Sequence, residues 1–180
     1  MKNLMQDTIQ GVHTMVPGVI AGFDPGACEA SVTPCGKFKK PDGSMMDYPQ
    51  LSGVPVLIAQ GSAQTATIAY PIKPGDECIL LFSEQALDTW RTKSESSTDL
   101  KFDLSNACAI VGLFSSPNPL MQEACDEDCM IIEKDGERIR LKEGEITIQA
   151  KSISLIANGD ISITAGGNIT LAGASVSISP

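Results

Sequence analysis

The last third of the chain alternates apolar and polar residues in short, evenly spaced bursts. Apolar residues come as pairs bracketing one other residue: Ile139/Leu141, Ile146/Ile148, Ile153/Leu155, Ile161/Ile163, Ile169/Leu171 and Val176/Ile178. The first members are 7, 7, 8, 8 and 7 residues apart, and the second members keep the same steps. Apolar residues two apart share one face of a strand, so each pair predicts a short half-buried strand. EGE, ANGD, AGGN and AGA lie between the pairs and supply the glycine and asparagine chemistry of tight corners. Six copies in register are an internal repeat.

Upstream the pattern differs. Met5, Ile9, Val12 and Val16 have helical spacing, which predicts a short amphipathic helix over 1–16, ended by Pro17 and Gly18. Short apolar runs follow at 19–23, 28–33, 54–59, 65–70, 77–82 and 107–112, separated by Gly, Pro and Asp. They predict a small β-barrel or sandwich over 17–114. Two longer connections, 35–53 and 84–106, interrupt it. Residues 115–130, with Pro117, Pro119 and the acidic CDEDC stretch, read as a linker, and the repeat occupies 131–180.

The repeat poses an energetic problem. Its twelve paired apolar residues offer on the order of 18–36 kcal/mol if fully buried, at about 1.5–3 kcal/mol each, and little if they stay wet. No helix or second apolar layer lies in this segment to cover them. A single-chain solenoid of about forty residues would hold too few coils to be stable. Three chains, each contributing one wall of a prism, would close the apolar face inward and leave no open strand edges. A flat antiparallel meander dimerising face to face is the alternative. In the prism, the trimer core is Ile139, Leu141, Ile146, Ile148, Ile153, Leu155, Ile161, Ile163, Ile169, Leu171, Val176 and Ile178.

Composition supports a slender core. Hydrophobic residues make up 42% of the 180 residues, yet aromatics only 4%, which suits a narrow prism better than a thick core. The net charge of −9 opposes binding to phosphate backbones, which rests on Lys and Arg, so no nucleic-acid partner is expected. The start, MKNLMQDTIQ, has no signal-peptide pattern, and no apolar run reaches the length of a membrane span. Synthesis in the cytoplasm is expected, with the cysteines at 28, 35, 78, 108, 125 and 129 reduced and structural.

Two regions carry a resemblance. VPGVIAGFDPGACEASVTP (16–34), YPQLSGVPVLIAQG (48–61), YPIKPGDECILLFSEQALDTW (70–90) and DLSNACAIVGLFSSPNP (103–119) resemble the OB-fold domain of the central spike proteins of contractile tails, found in phage baseplates and R-type bacteriocins. The C-terminal repeat is similar to that family's triple-stranded β-helix. The resemblance implies an all-β fold class: an N-terminal OB-fold-like barrel followed by an intertwined homotrimeric triple-stranded β-helix needle. It implies a structural, non-enzymatic role without a cofactor. Three barrels would dock on a tail hub protein, and the needle would plug the tube and press on the target's outer membrane. The protein would sit in the baseplate of a virion or tail particle. Some spikes of this family hold an apical iron ion with a terminal His-x-His motif. Here the single histidine is His13, so no metal is expected. The tip end would be Val176, Ile178 and Pro180, and a PAAR-like tip protein is an expected cap.

Other local features read more plainly. Cys125 and Cys129, flanking Asp126, Glu127 and Asp128, lack the four-ligand spacing of a zinc site and read as a linker turn. Asp76/Glu77 and Glu84/Asp88 are the nearest approach to paired glycosidase carboxylates, but PGDE reads as a turn entering a strand. His13 reads as a surface or hub-contact residue. The alternative function is an OB-fold glycan-binding module on an oligomeric stalk. That would need an aromatic platform, whereas Tyr48, Tyr70 and Trp90 are scattered in sequence.

Overall fold

The computed structural model describes residues 12–40, 42–94 and 101–177. The chain divides into two compact units, Met1–Pro117 and Asn118–Pro180.

The first unit runs β1 (Met15–Asp24), β2 (Glu29–Pro34), β3 (Lys37–Lys39), β4 (Met45–Asp47), β5 (Leu51–Pro55), β6 (Ala59–Gly61), β7 (Ala66–Ile68), β8 (Glu77–Phe82), α1 (Leu87–Thr92) and β9 (Ala107–Val111). Five of these strands form an antiparallel sheet in the order β5-β2-β1-β8-β9. The sheet curls until its two edges meet. Val56, just past β5, bridges Ala109 of β9 in parallel, and the Leu57 N–H donates to the Ala109 carbonyl at 2.8 Å. Alternation fills the inside of the curl: Ala30 and Val32 from β2, Cys78, Leu80 and Phe82 from β8, and Ala107, Ala109 and Val111 from β9 are buried around Ile20 and Val54. At Gly18, β1 lies tight against β2. A β-carbon there would sit 2.7 Å from Val32 Cγ1 and 3.3 Å from the Thr33 carbonyl oxygen.

The predicted runs at 19–23, 28–33, 77–82 and 107–112 coincide with β1, β2, β8 and β9. The run at 54–59 does not form one strand. β5 ends at Pro55, which has no N–H to extend the ladder, and Val56 turns to pair with Ala109 instead. The long connections are not structureless: 35–53 folds back as the β3–β4 hairpin, and 84–106 contains α1. The helix read at 1–16 falls largely on residues 1–11, outside the described residues. Its last two residues, Met15 and Val16, belong to β1 and pair with Leu81 and Leu80 of β8. The helical spacing of Val12 and Val16 yields at Val16 to a sheet partner, Leu80 of β8. Pro17 likewise lies within β1 rather than ending an element.

The second unit begins with α2 (Pro119–Glu127), inside the segment read as a linker. Its start is well signalled. Asn118 Oδ1 caps the helix by accepting the Leu120 N–H at 3.0 Å, and Pro119 occupies the first turn. β10 (Cys129–Lys134), β11 (Glu137–Lys142) and β12 (Glu145–Gln149) follow as an antiparallel meander. Asp135 and Gly136 form the first hairpin turn with φ of 53° and 89°, the doubly left-handed geometry favoured in two-residue hairpins. β10 thus opens at Cys129, two residues before the expected start of the repeat. Copies one and two of the repeat are β11 and β12. Copies three to six pair with no strand of the same chain among the described residues, although bends recur between them at 158–159, 166–167 and 173–174.

Candidate assembly surface

The meander of the second unit has two unlike faces. Its register sets Met130 beside Leu141 and Leu141 beside Ile146, and sets Ile132 beside Ile139 and Ile139 beside Ile148. One face therefore carries two cross-strand rows of three apolar side chains. Among the described residues nothing covers most of them: Ile146 is 70% exposed, Ile132 59% and Ile148 54%, while Leu141 is half-buried.

The opposite face is mostly polar, with Ile131 and Cys129 among its charged residues, and α2 meets it with charges. Arg138 Nη1 lies 2.6 Å from Glu123 Oε1, and its Nη2 lies 2.6 Å from Glu133 Oε2. Glu127 receives Lys142 Nζ at 3.1 Å and Arg140 Nη1 at 3.8 Å. The Lys142 ammonium, and then the Arg140 guanidinium, hold the Glu127 carboxyl below the ordinary carboxylate range. This inverts the usual sheet, in which the apolar face is packed and the polar face is wet. An uncovered apolar patch of this kind marks an interaction surface.

The structure brings four of the twelve expected core residues onto one surface: Ile139, Leu141, Ile146 and Ile148. Ile153, Leu155, Ile161, Ile163, Ile169, Leu171 and Val176 are each at least half exposed. Ile178 and Pro180 lie outside the described residues. Sequence reasoning missed Met130 and Ile132, which extend the two rows by one strand. They bracket Ile131 as the later pairs bracket Ser or Thr, but the unbroken run Met130–Ile131–Ile132 conceals the period of two.

The other candidate groups fall in separate places. Asp76 accepts the Lys73 N–H at 2.8 Å, which closes the PGDE turn. Glu77 accepts from the Ser115 N–H at 2.6 Å and its hydroxyl at 2.7 Å. Both carboxylates thus tie backbone segments together. Cys125 is exposed near the end of α2, Cys129 opens β10, and both are free thiols. His13 is not a plain surface residue: its half-buried ring packs against Tyr48 and the core residue Phe82.

Residues 16–112 match the Gp138 N-terminal domain of phage proteins. The chain belongs to that family. The Gp138 N-terminal domain covers more than half of the chain and coincides with the curled sheet from β1 to β9. The protein is accordingly a phage structural protein, and its fold is mostly β. No curated protein matches the chain. No helix among the described residues is long and apolar enough to cross a membrane.

Proposed function

We propose that this phage protein is the central spike of a contractile tail and assembles as a homotrimer. The observation that carries the reading is the apolar face of the second unit, bare while its polar face is covered. Four further copies of the same apolar pattern continue beyond Gln149 without a strand partner in their own chain among the described residues. Such a ribbon gains its burial from other copies of itself. Three chains wound about one axis supply it and pair every strand edge. In this reading residues 131–180 form a triple-stranded β-helix.

The strand order of the Gp138 domain, with its parallel contact between the edges at Val56 and Ala109, supports reading it as a five-stranded OB-type barrel. Three such domains would form a collar on a tail hub protein in the virion baseplate. The needle would close the tube and bear on the target's outer membrane. The role is mechanical and non-enzymatic. Interlocked chains cannot leave one at a time, so resistance to force and denaturant becomes kinetic.

Light scattering of the purified chain, before and after dodecyl sulfate at room temperature, tests the proposal. A particle of three protomer masses that survives the detergent is expected. A monomer or a dimer would overturn it.

A further inference from the structure

The first unit holds a cavity that trimer formation through the repeat does not use. It has a volume of about 830 Å³ and opens between the β3–β4 hairpin, the segment before β1 and the loop leading to β9. That volume lies within the range of small-molecule sites, roughly 300–1,000 Å³. Three rings from distant parts of the chain meet there. Tyr48 and Phe38 lie with ring centres 5.3 Å apart at 37°. His13 stands edge-on to Tyr48 at 5.8 Å and 82°. It also lies 5.7 Å from the buried ring of Phe82, which anchors the cluster to the core. Leu104 and Met46 complete the apolar lining, and Lys39 and Asp47 belong to it as well.

We propose that this cavity binds a pyranose saccharide, with Tyr48 and Phe38 as its platform. One face of a pyranose presents C–H groups. These suit the electron-rich face of an aromatic ring, as ring edges do. The hydroxyls around the sugar need both donors and acceptors, and the lining holds a lysine, an aspartate, a tyrosine and a histidine among its apolar residues. A wholly apolar ligand would make no use of these polar groups. A nucleic acid would meet a chain of net charge −9, the wrong sign for phosphate binding. In sequence the aromatic residues look scattered; the hairpin and the chain entry to β1 gather three of the rings. The inference is independent of the trimer, since every residue named lies in the first unit.

Saturation-transfer NMR on the full chain, with trisaccharides of glucose, galactose, mannose and N-acetylglucosamine as probes, tests it. Transfer to the ring C–H protons of at least one probe is expected. Tyr48→Ala and Phe38→Ala should each weaken that probe's binding roughly tenfold or more, the loss of one stacking contact. Trp90→Ala, which lies on α1 outside the cavity, should leave it within a few-fold. Phe38→Ala keeps the test decisive if Tyr48→Ala does not fold. Four results would each overturn the proposal: no transfer from any probe, transfer undiminished in both alanine variants, transfer only after removal of residues 1–11, or Tyr48-dependent binding of a single-stranded oligonucleotide in preference to the sugars.

Discussion

Asn106, just before β9, is the buried polar residue among the described residues, 4% exposed. Its Oδ1 accepts the Leu87 N–H at 2.8 Å, and its Nδ2 donates to the Ser83 and Gln85 carbonyls at 2.9 and 2.7 Å. One side chain thus ties the first residues of the 83–106 connection to the start of β9. Leaving such groups unpaired costs about 1–3 kcal/mol each when they are buried. Asn106→Leu should therefore lower the stability of the first unit by about 2–3 kcal/mol, read as a lower urea midpoint with an unchanged slope. An unchanged midpoint would mean that water replaces all three bonds. Nothing in the local pattern around SNACAIVG marks this role, because the partners lie some twenty residues away. Cys78 shows a different residue-scale effect. Burial, with Cys35 nearby as a smaller cause, pushes its thiol up to about 11, so it behaves as a small core residue rather than a nucleophile.

At the scale of elements, α2 and the meander form an ionic clasp that is sensitive to acid. The folded state depresses the Glu127 carboxyl below its usual 4.5, first through Lys142 and then through Arg140. A depressed carboxylate adds stability above its unfolded value, and that contribution is lost as pH falls through the folded value. The window therefore lies below pH 4.5. A carbon-detected NMR titration should place the Glu127 midpoint below that value, and Lys142→Met should move it back up. A midpoint unmoved by the substitution would show that the clasp is not what shifts it. The helix itself was legible from Asn118 and Pro119 as cap and first turn, but the prolines and the acidic CDEDC stretch also fit a linker. Local sequence did not separate the two, since the deciding contacts are with β11, up to fifteen residues on.

For the whole molecule, the central question is what covers the apolar repeat. If three chains close it, Ile163→Asp sets three carboxylates together on a dry axis. An unpaired buried charge costs several kcal/mol, so the variant should lose the detergent-resistant trimer and run as a protomer. A variant trimer as resistant as the parent would show that Ile163 does not face the axis. Ser162→Asp, on the opposite side of the strand, should leave the trimer intact.

Several features that depend on neighbours in the chain could be read from the amino-acid order alone. The short apolar runs that become β2, β8 and β9, and the six-fold apolar repeat, are of this kind. Strand alternation and left-handed turns are local physics, set by side-chain order within a few residues. Features built from distant segments needed the folded chain. The edges of the curled sheet meet at Val56 and Ala109. Met15 and Val16 pair with β8 instead of continuing a helix. Asn106 finds three backbone partners, His13, Phe38 and Tyr48 converge on one cavity, and α2 takes the polar face of the meander and leaves the apolar face bare. Each depends on which surfaces are brought together when the chain buries its core, and that is a property of the packed molecule rather than of any one stretch of it.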